Sequence, residues 1–565
     1  MFLLKSNLRY FIFYFLGCLF CCGGFAPPLE AAVAIGSQGT EFWLAFPQSD
    51  GINPGDQELF ISSVTGTSGL VQVPGIGFST SFSVPAGGSA VVILPSAVDD
   101  TDVDGVSPLG IHVTAQDPVG VVGFNAETDS SDGFLGLPVN ALGVTYIVQA
   151  YANSVILTGV WTQFSVAGTQ NGTSITLTLP VTSGPHTANV PYNVALNQGD
   201  VYQLQDGTSG LDLSGTLISS NQPVALFAGN SCADIPVTVG TCNYIVEELW
   251  PTQWWGIHFL SLPLAARTGG DTFRFLASQD GTAVTVNGSP TASLNRGQFY
   301  EGILTASSNI TSNHPIFVEQ YSNGRLLDGA AQGDPSMITL PPVNDWASDY
   351  LVSSPWTGFS VNYENITAPA SIAGAVTMDR TPIPAATFVP IGSSGFSGAA
   401  VSVTAAAHRL TAPAPFGVLA YGFEVRDAYG YPGGALFFNP TATPTPPFTL
   451  TPTITPTLAP PSCPPGYTGP KPPGPGECFT YPAPAVGNEM RFAYFLKESG
   501  SVEILVRNER GDLAARIQQD QGCGAQTSVL DIRRFAAGVY FFRIKLKYGS
   551  GGEEWLKTQK FMVLK

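Results

Sequence analysis

The sequence predicts an all-β protein: tandem β-sandwich-like units followed by a small C-terminal immunoglobulin-like β-sandwich, with a β-propeller as the alternative arrangement of the tandem part. Three observations lead there. The chain has 565 residues, with Gly 63 and Pro 46, 44% hydrophobic and only 11% charged residues, which is the composition of a folded, turn-rich chain too long for one core. Short runs of Val, Ile, Thr, Phe and Tyr alternate with Gly, Asn, Asp and Pro, and helical 3.6-residue periodicity is almost absent. Finally, the chain repeats itself at intervals of about 100 residues, the signature of an array of similar units.

Residues 1–34 have the order of parts of a secretory signal peptide. Lys5 and Arg9 precede an apolar run from Tyr10 to Cys22, and Ala-Val-Ala ends at Ala34; cleavage there leaves Ile35 first. The run is shorter than the roughly 20 residues of a membrane helix, and no other stretch reads as transmembrane. "FLGC" ending at Cys18 is a poor lipoprotein signal, with Phe15 where Leu is usual.

Residues 35–440 read as four repeats, about 39–137, 138–250, 251–341 and 342–440. "GTEF" at Gly39 returns as "GVTY" at Gly143, "GIHF" at Gly256 and "ASDY" at Ala347, the last three led in by Pro138, Pro251 and Pro342. "QNGTSITL" from Gln170 matches "QDGTAVTV" from Gln279, each predicting a hairpin turn and a strand. "AQDPVGVVGF", "SNQPVALFAG", "SNHPIFVEQY" and "APAPFGVLAYGF" recur with their prolines expected at strand starts, where a missing N–H costs least. "GTEFWLAFP" from Gly39 is therefore expected to be the first strand of repeat one, its aromatics core rather than ligand platform.

Residues 441–483 form a Thr/Pro-rich linker, a semi-rigid spacer whose threonines offer sites for sugars, ending in a segment bracketed by Cys463 and Cys478. Residues 484–565 alternate apolar and polar positions and predict the separate small sandwich. In an oxidising compartment the economical disulfides are Cys232 with Cys242 and Cys463 with Cys478, leaving Cys523 odd.

Charge excludes some functions. Between Ile35 and Pro440 there are seven Arg, no Lys and thirty Asp plus Glu, a formal −23, so nucleic acid and anionic membranes are poor partners. Asp100, Asp102 and Asp104 before Gly105 make a D-x-D-x-D-G pattern that would aim three carboxylates at a Ca²⁺ ion, although the EF-hand's closing Glu is replaced by Ile111; a solvated acidic loop is the competing reading. Glu127, Asp129 and Asp132 form a second cluster, the best place for the paired acids of a glycosidase, with turn-forming Asp as the competing reading. The five histidines are scattered singly, and no HExxH or nucleophile elbow is present. Trp161, Trp250, Trp254, Trp255, Trp346 and Trp356 are candidates for a binding platform or for packing.

Taken together, "GTEFWLAFP", "SSDGFLGLPVNALGVTYIV" from Ser130, "GNSCADIPVTVGTCNYIVEELWPTQWWGIHF" from Gly229 and "GDPSMITLPP" from Gly333 resemble the N-terminal domain of the IgGFc-binding protein family, including its bacterial members. The resemblance covers about residues 36–439. It implies a secreted, non-catalytic binding or adhesion module and a paired Cys232 and Cys242; no short motif carries antibody Fc binding, so that activity is transferred to no residue. "SVEILVRNERGDLAARI", "GVYFFRI" and "KFMVLK" resemble the immunoglobulin-like C-terminal sorting domains of bacterial secreted proteins, implying export and retention at the outer cell surface. The expected function is thus a secreted or surface-held, non-enzymatic binding protein whose partners are an extracellular glycoprotein or glycan and, through the C-terminal domain, the secretion machinery. The competing readings are a secreted carbohydrate-active enzyme and a structural surface-layer protein. No residue pattern identifies the ligand.

Overall fold

A computed structural model describes residues 35–49, 56–355 and 358–437, together with 478–481 and most of 489–563. The leader 1–34, most of the linker 441–483, and Cys463, Cys523 and Trp356 lie outside the described residues. Two compact units result, one before and one after Thr445.

The first unit holds four modules built on seven common strands, lettered A to G in chain order, the fourth with a short extra strand, Val389–Pro390, at its edge. In the first module these are Gly39–Leu44, Asp56–Ser63, Thr67–Val73, Phe78–Val84, Gly88–Ile93, Ile111–Ala126 and Asp132–Leu135. Strand F is long and serves two sheets: its first half pairs with A and C, its second half with B and G. The result is a sandwich of sheets A-F-C-D and G-F-B-E that share a strand. The second module (F at Leu217–Ala233), the third (Ser308–Ser322) and the fourth (Ala407–Glu424) repeat the order D-C-F-B-E, with A and G pairing F. The fold is all-β in sandwich-like units, not four-stranded blades.

Two expectations about the connections are corrected. Pro118, Pro223, Pro315 and Pro415 do not start strands; each falls inside strand F where the pairing with A changes register. A residue without an N–H fits where the ladder is already interrupted, and the interruption lets the strand turn from one sheet into the other. The Asn171-Gly172 and Asp280-Gly281 turns are tight, with φ of +74° and +69° at the glycines. Yet they join B to C, which lie in opposite sheets and do not pair. They are crossovers rather than hairpins, held by Asn221 and Asn313 of strand F, whose Nδ2 groups donate to the Gly172 and Gly281 carbonyls at 3.1 Å.

The modules close into a ring. Strand G of the first module packs on strand G of the second (Asn243–Glu248) and of the fourth (Asp427–Pro432), and strand G of the third (Ser336–Thr339) packs on the same two. Apolar clusters cross the joints: Phe60, Val122 and Phe124 of the first module share a core with Ile366, Val418 and Tyr429 of the fourth. At the seam, Ile35–Gly36 pairs with Leu436–Phe437, and the Phe437 ring packs on Trp250 and Trp254.

The repeated opening motif serves these joints. A Cβ on Gly39, Gly143 or Gly256 would stand 2.3, 2.5 or 2.2 Å from the Cβ of Pro138, Pro251 or Pro342, the proline that leads into the next module. Each glycine thus seats the following proline against strand A. The fourth copy, Ala347, has no following module and carries a methyl. Where the motif ends in Tyr, the hydroxyl ties its own strand: Tyr350 Oη accepts from Ala347 N and donates to the Phe416 carbonyl, and Tyr146 does the same with Gly143 and Val224. Phe42 and Phe259 fill the same place as buried core.

The C-terminal unit is a separate sandwich of a three-stranded sheet (Cys478–Tyr481, Glu489–Leu496, Gly524–Asp531) and a five-stranded one. Its core is apolar, built on Phe492, Tyr494, Ile504, Phe542 and Phe561. Among the described residues no helix is long and apolar enough to cross a membrane.

Candidate functional site

Where the four G strands meet, edges that do not pair with one another leave backbone amides facing inward. Carboxylates satisfy them. Asp132 is fully buried; one of its oxygens accepts from Gly133 N at 2.9 Å and Gly430 N at 3.0 Å, the other from Met337 N at 3.0 Å and Val246 N at 3.3 Å. One side chain therefore ties strand G of its own module to those of the other three. Burial pushes its pKa up, and the four amides oppose that. Both oxygens act wholly as acceptors, which suits an anion and leaves no place for an O–H. Glu248 accepts from Leu137 N at 2.9 Å and Glu247 from Thr339 N at 3.0 Å, while Glu319 accepts from the Thr339 hydroxyl. Burial raises all three, and Glu319 raises Glu247 further.

This hub corrects the reading of Glu127, Asp129 and Asp132 as glycosidase acids. Asp132 is fully buried, with its oxygens taken up by four backbone amides. Glu127 takes the hydroxyl of Ser49, and Asp129 pairs with Arg426 of the fourth module. Sequence reasoning missed Glu247, Glu248 and Glu319 altogether. The available signal was a charged pair in the apolar run "YIVEELW" and a lone Glu in "PIFVEQY".

Asp100, Asp102 and Asp104 lie where the first module reaches over to the second: Asp104–Ser107 pairs with strand E there, Val201–Asp206. Asp100 accepts from the Ser107 hydroxyl at 2.7 Å and from Asp102 N at 3.1 Å. Asp104 accepts from Tyr202 Oη at 2.8 Å and bonds His186 Nε2 at 2.9 Å. Among the described residues no group of three or more His, Cys, Asp or Glu side chains is placed to hold a metal ion. Cys232 and Cys242 are joined in a disulfide. Cys478 is buried, and Cys463, its expected partner, lies outside the described residues. Trp250, Trp254, Trp255 and Trp346 are core residues, 7% exposed or less, packed rather than presented as a platform, with only edges of Trp254 and Trp255 reaching a groove.

What the scaffold does present is a chain of loops. The F–G connections (127–131, 234–242, 323–335 and 425–426) touch in sequence around the hub: Gly324 N donates to Ile235 O, Gly333 N to Glu424 O, Arg426 pairs with Asp129, and Tyr244 N donates to Ser130 Oγ. The A–B connections join them through Ser154 to Asp234 and Arg267 to Asp328. Apolar side chains stand out of this ring, with Val155, Ile156, Leu326 and Val425 between 52% and 63% exposed. Between the first and fourth modules a pocket of about 220 Å³ is lined by Phe124, Glu127, Asp129, Phe359, Glu424 and Asp427. Loops on a rigid frame, with exposed apolar residues, make a recognition surface.

Comparison with known proteins agrees with the resemblance in the sequence. The family model described as IgGFc binding protein matches residues 132–422, just over half of the chain. The human IgGFc-binding protein is 28% identical over 341 residues, covering 58% of this chain and 6% of its own length; the chain therefore spans a small part of that relative. Among solved structures, dimeric latent PorU from Porphyromonas gingivalis matches at 10% identity and TM-score 0.14, over 60% of this chain and 31% of its own. A tetra-tandem repeat of the extending region of a large adhesion protein matches at 10% identity and TM-score 0.13, over 79% and 95%. Scores this far below 0.5 say nothing about this fold.

Proposed function

Since the chain belongs to the IgGFc binding protein family, we propose that it is a secreted or cell-surface binding protein without enzymatic activity, whose ligand docks on the ring of F–G and A–B loops. The observation that carries this reading is the loop surface built by all four modules, with exposed apolar side chains from the second, third and fourth. The ligand class is an extracellular glycoprotein or a glycan. In this reading residues 1–34 direct export, the linker 441–483 holds the ring away from its anchorage, and residues 484–565 serve secretion and retention at the surface.

The test uses the full chain without its leader on a glycan array, on immobilised human IgG Fc and in a pull-down from secreted glycoproteins. Specific capture that falls at least about tenfold in Ile156→Asp or Leu326→Asp, as for an apolar anchor at an interface, supports the proposal. Capture unchanged in both variants, or turnover of a glycan by the wild-type protein, overturns it.

A further inference from the structure

The segments leading into the second, third and fourth modules are equivalent single 3-10 turns, Val139–Ala141, Thr252–Trp254 and Val343–Asp345, each following a proline. They sit at the far end of the G strands from the F–G loops, so the site they form is distinct from the loop ring. Their last positions differ: Ala141, Trp254, Asp345. The Trp254 indole reaches back from the second segment to the first, where its Nε1 donates to the Ala141 carbonyl at 2.6 Å.

At the next joint Asp345 stands where an indole would, and a carboxylate is too short to bridge the same distance. A groove of about 460 Å³ opens instead, lined by Gln253, Trp254, Trp255, Gly256, Asn344 and Asp345. Asp345 is only 6% exposed. Its backbone N–H donates to the Pro342 carbonyl, but no hydrogen bond or ion pair among the described residues reaches its carboxylate. A charge buried without a partner is costly unless something supplies the opposite charge.

We propose that this groove binds one cationic side chain, a lysine ammonium or an arginine guanidinium, inserted by a partner protein, with Asp345 as its counter-ion and the edges of Trp254 and Trp255 along its methylene stem. The surrounding body carries a formal −23, a field that draws cationic partners toward it. Burial alone, with no charged neighbour, pushes the Asp345 carboxyl up to about 8. A bound cation would hold it ionised, so complex formation releases a proton and tightens as pH rises from 6 to 8.

The probes are N-acetyl-lysine methylamide and N-acetyl-arginine methylamide, titrated calorimetrically into the full chain, with the neutral norleucine and citrulline analogues as controls. At least one cation is expected to saturate at millimolar concentration while its neutral analogue does not. Asp345→Asn should weaken it by at least about tenfold, and Asp345→Trp, which rebuilds the neighbouring joint, should abolish it. No saturation by about 50 mM, equal binding of the neutral analogue, or unchanged affinity in Asp345→Asn overturns the proposal; should Asp345→Trp fail to fold, the Asn variant decides alone.

Discussion

The body buries Asp132, Glu247, Glu248, Asp271, Glu319, Glu364 and Asp427, whereas in the C-terminal unit Ser528 is the only buried polar residue among those described. The C-terminal charges lie outside, as in the pairs Lys545 with Glu553 and Lys497 with Glu554. One sandwich closes its own core and needs nothing else. Four sandwiches in a ring must join edges that do not form a ladder, and buried acceptors do this by taking up the orphaned amides. The comparison teaches that Asp132, Glu247, Glu248 and Asp427 tie neighbouring modules by accepting from their backbone amides, whereas Asp271 and Glu319 bond within the third module and Glu364 has no hydrogen-bond partner among the described residues.

The sharpest way to break that comparison is Asp132→Asn. The amide would turn an NH₂ toward amides that donate, so the body should lose more than about 4 kcal/mol by chemical denaturation, several unsatisfied donors at about 1–3 kcal/mol each. The C-terminal transition should stay in place. A loss under 1 kcal/mol would mean the hub is incidental.

Next in size is pH. Burial pushes Asp271 and Asp427 up to about 7 and Glu364 and Asp345 up to about 8. Unfolded carboxyls titrate near 4, so between about pH 4 and pH 8 the folded body holds more protons than the unfolded chain and loses stability as pH rises. From pH 5 to pH 8 any one of these carboxyls is expected to cost the body up to about 3 kcal/mol. In the C-terminal unit, hydrogen bonds from Lys545 to Glu553 and from Tyr548 to Glu554 hold those carboxyls below their usual range. Their contribution is lost only on acidification below about pH 4, so that transition should not move in the same window. Denaturation curves at the two pH values, followed separately for each unit, check both signs.

Smaller effects sharpen the picture at single joints. Replacing Cys232 and Cys242 together by Ser removes a cross-link spanning ten positions and should cost the body about 2 kcal/mol, read as a lower denaturation midpoint. Gly143→Ala, which forces a methyl onto Pro251, should cost about 1–2 kcal/mol. Ala347→Gly, at the copy with no following proline, should cost less than about 1 kcal/mol. Equal costs at the two positions would refute the seating of proline on glycine.

The strands, the repeated motifs and the Cys232–Cys242 pair were legible because each leaves a local mark: alternation, a recurring glycine five residues after a lead-in proline, two cysteines ten positions apart. The ring and its hub were not. Asp132 reads as a turn residue beside Ser130 and Ser131, and only the arrival of Gly430, nearly three hundred residues later, shows what it holds. The prolines of strand F misled for a related reason. Their missing N–H marks an interruption of pairing, and sequence alone does not distinguish the start of a strand from a bend within one. The ring of loops was likewise invisible, since Val155, Ile156 and Leu326 become neighbours of a common surface only after four modules have closed.

That closure brings Ser37 and Ala435 within hydrogen-bonding distance, 2.9 Å from N to O. The two ends of the body leave it side by side, and the ring has no topological first module. Splicing residue 437 to residue 35 through a short connector and cutting instead at an exposed turn such as Asn287-Gly288, between strands C and D of the third module, should give a permuted chain that folds to the same circle. A tether attached after Leu436–Phe437 then grips the whole assembly at a single point on its rim.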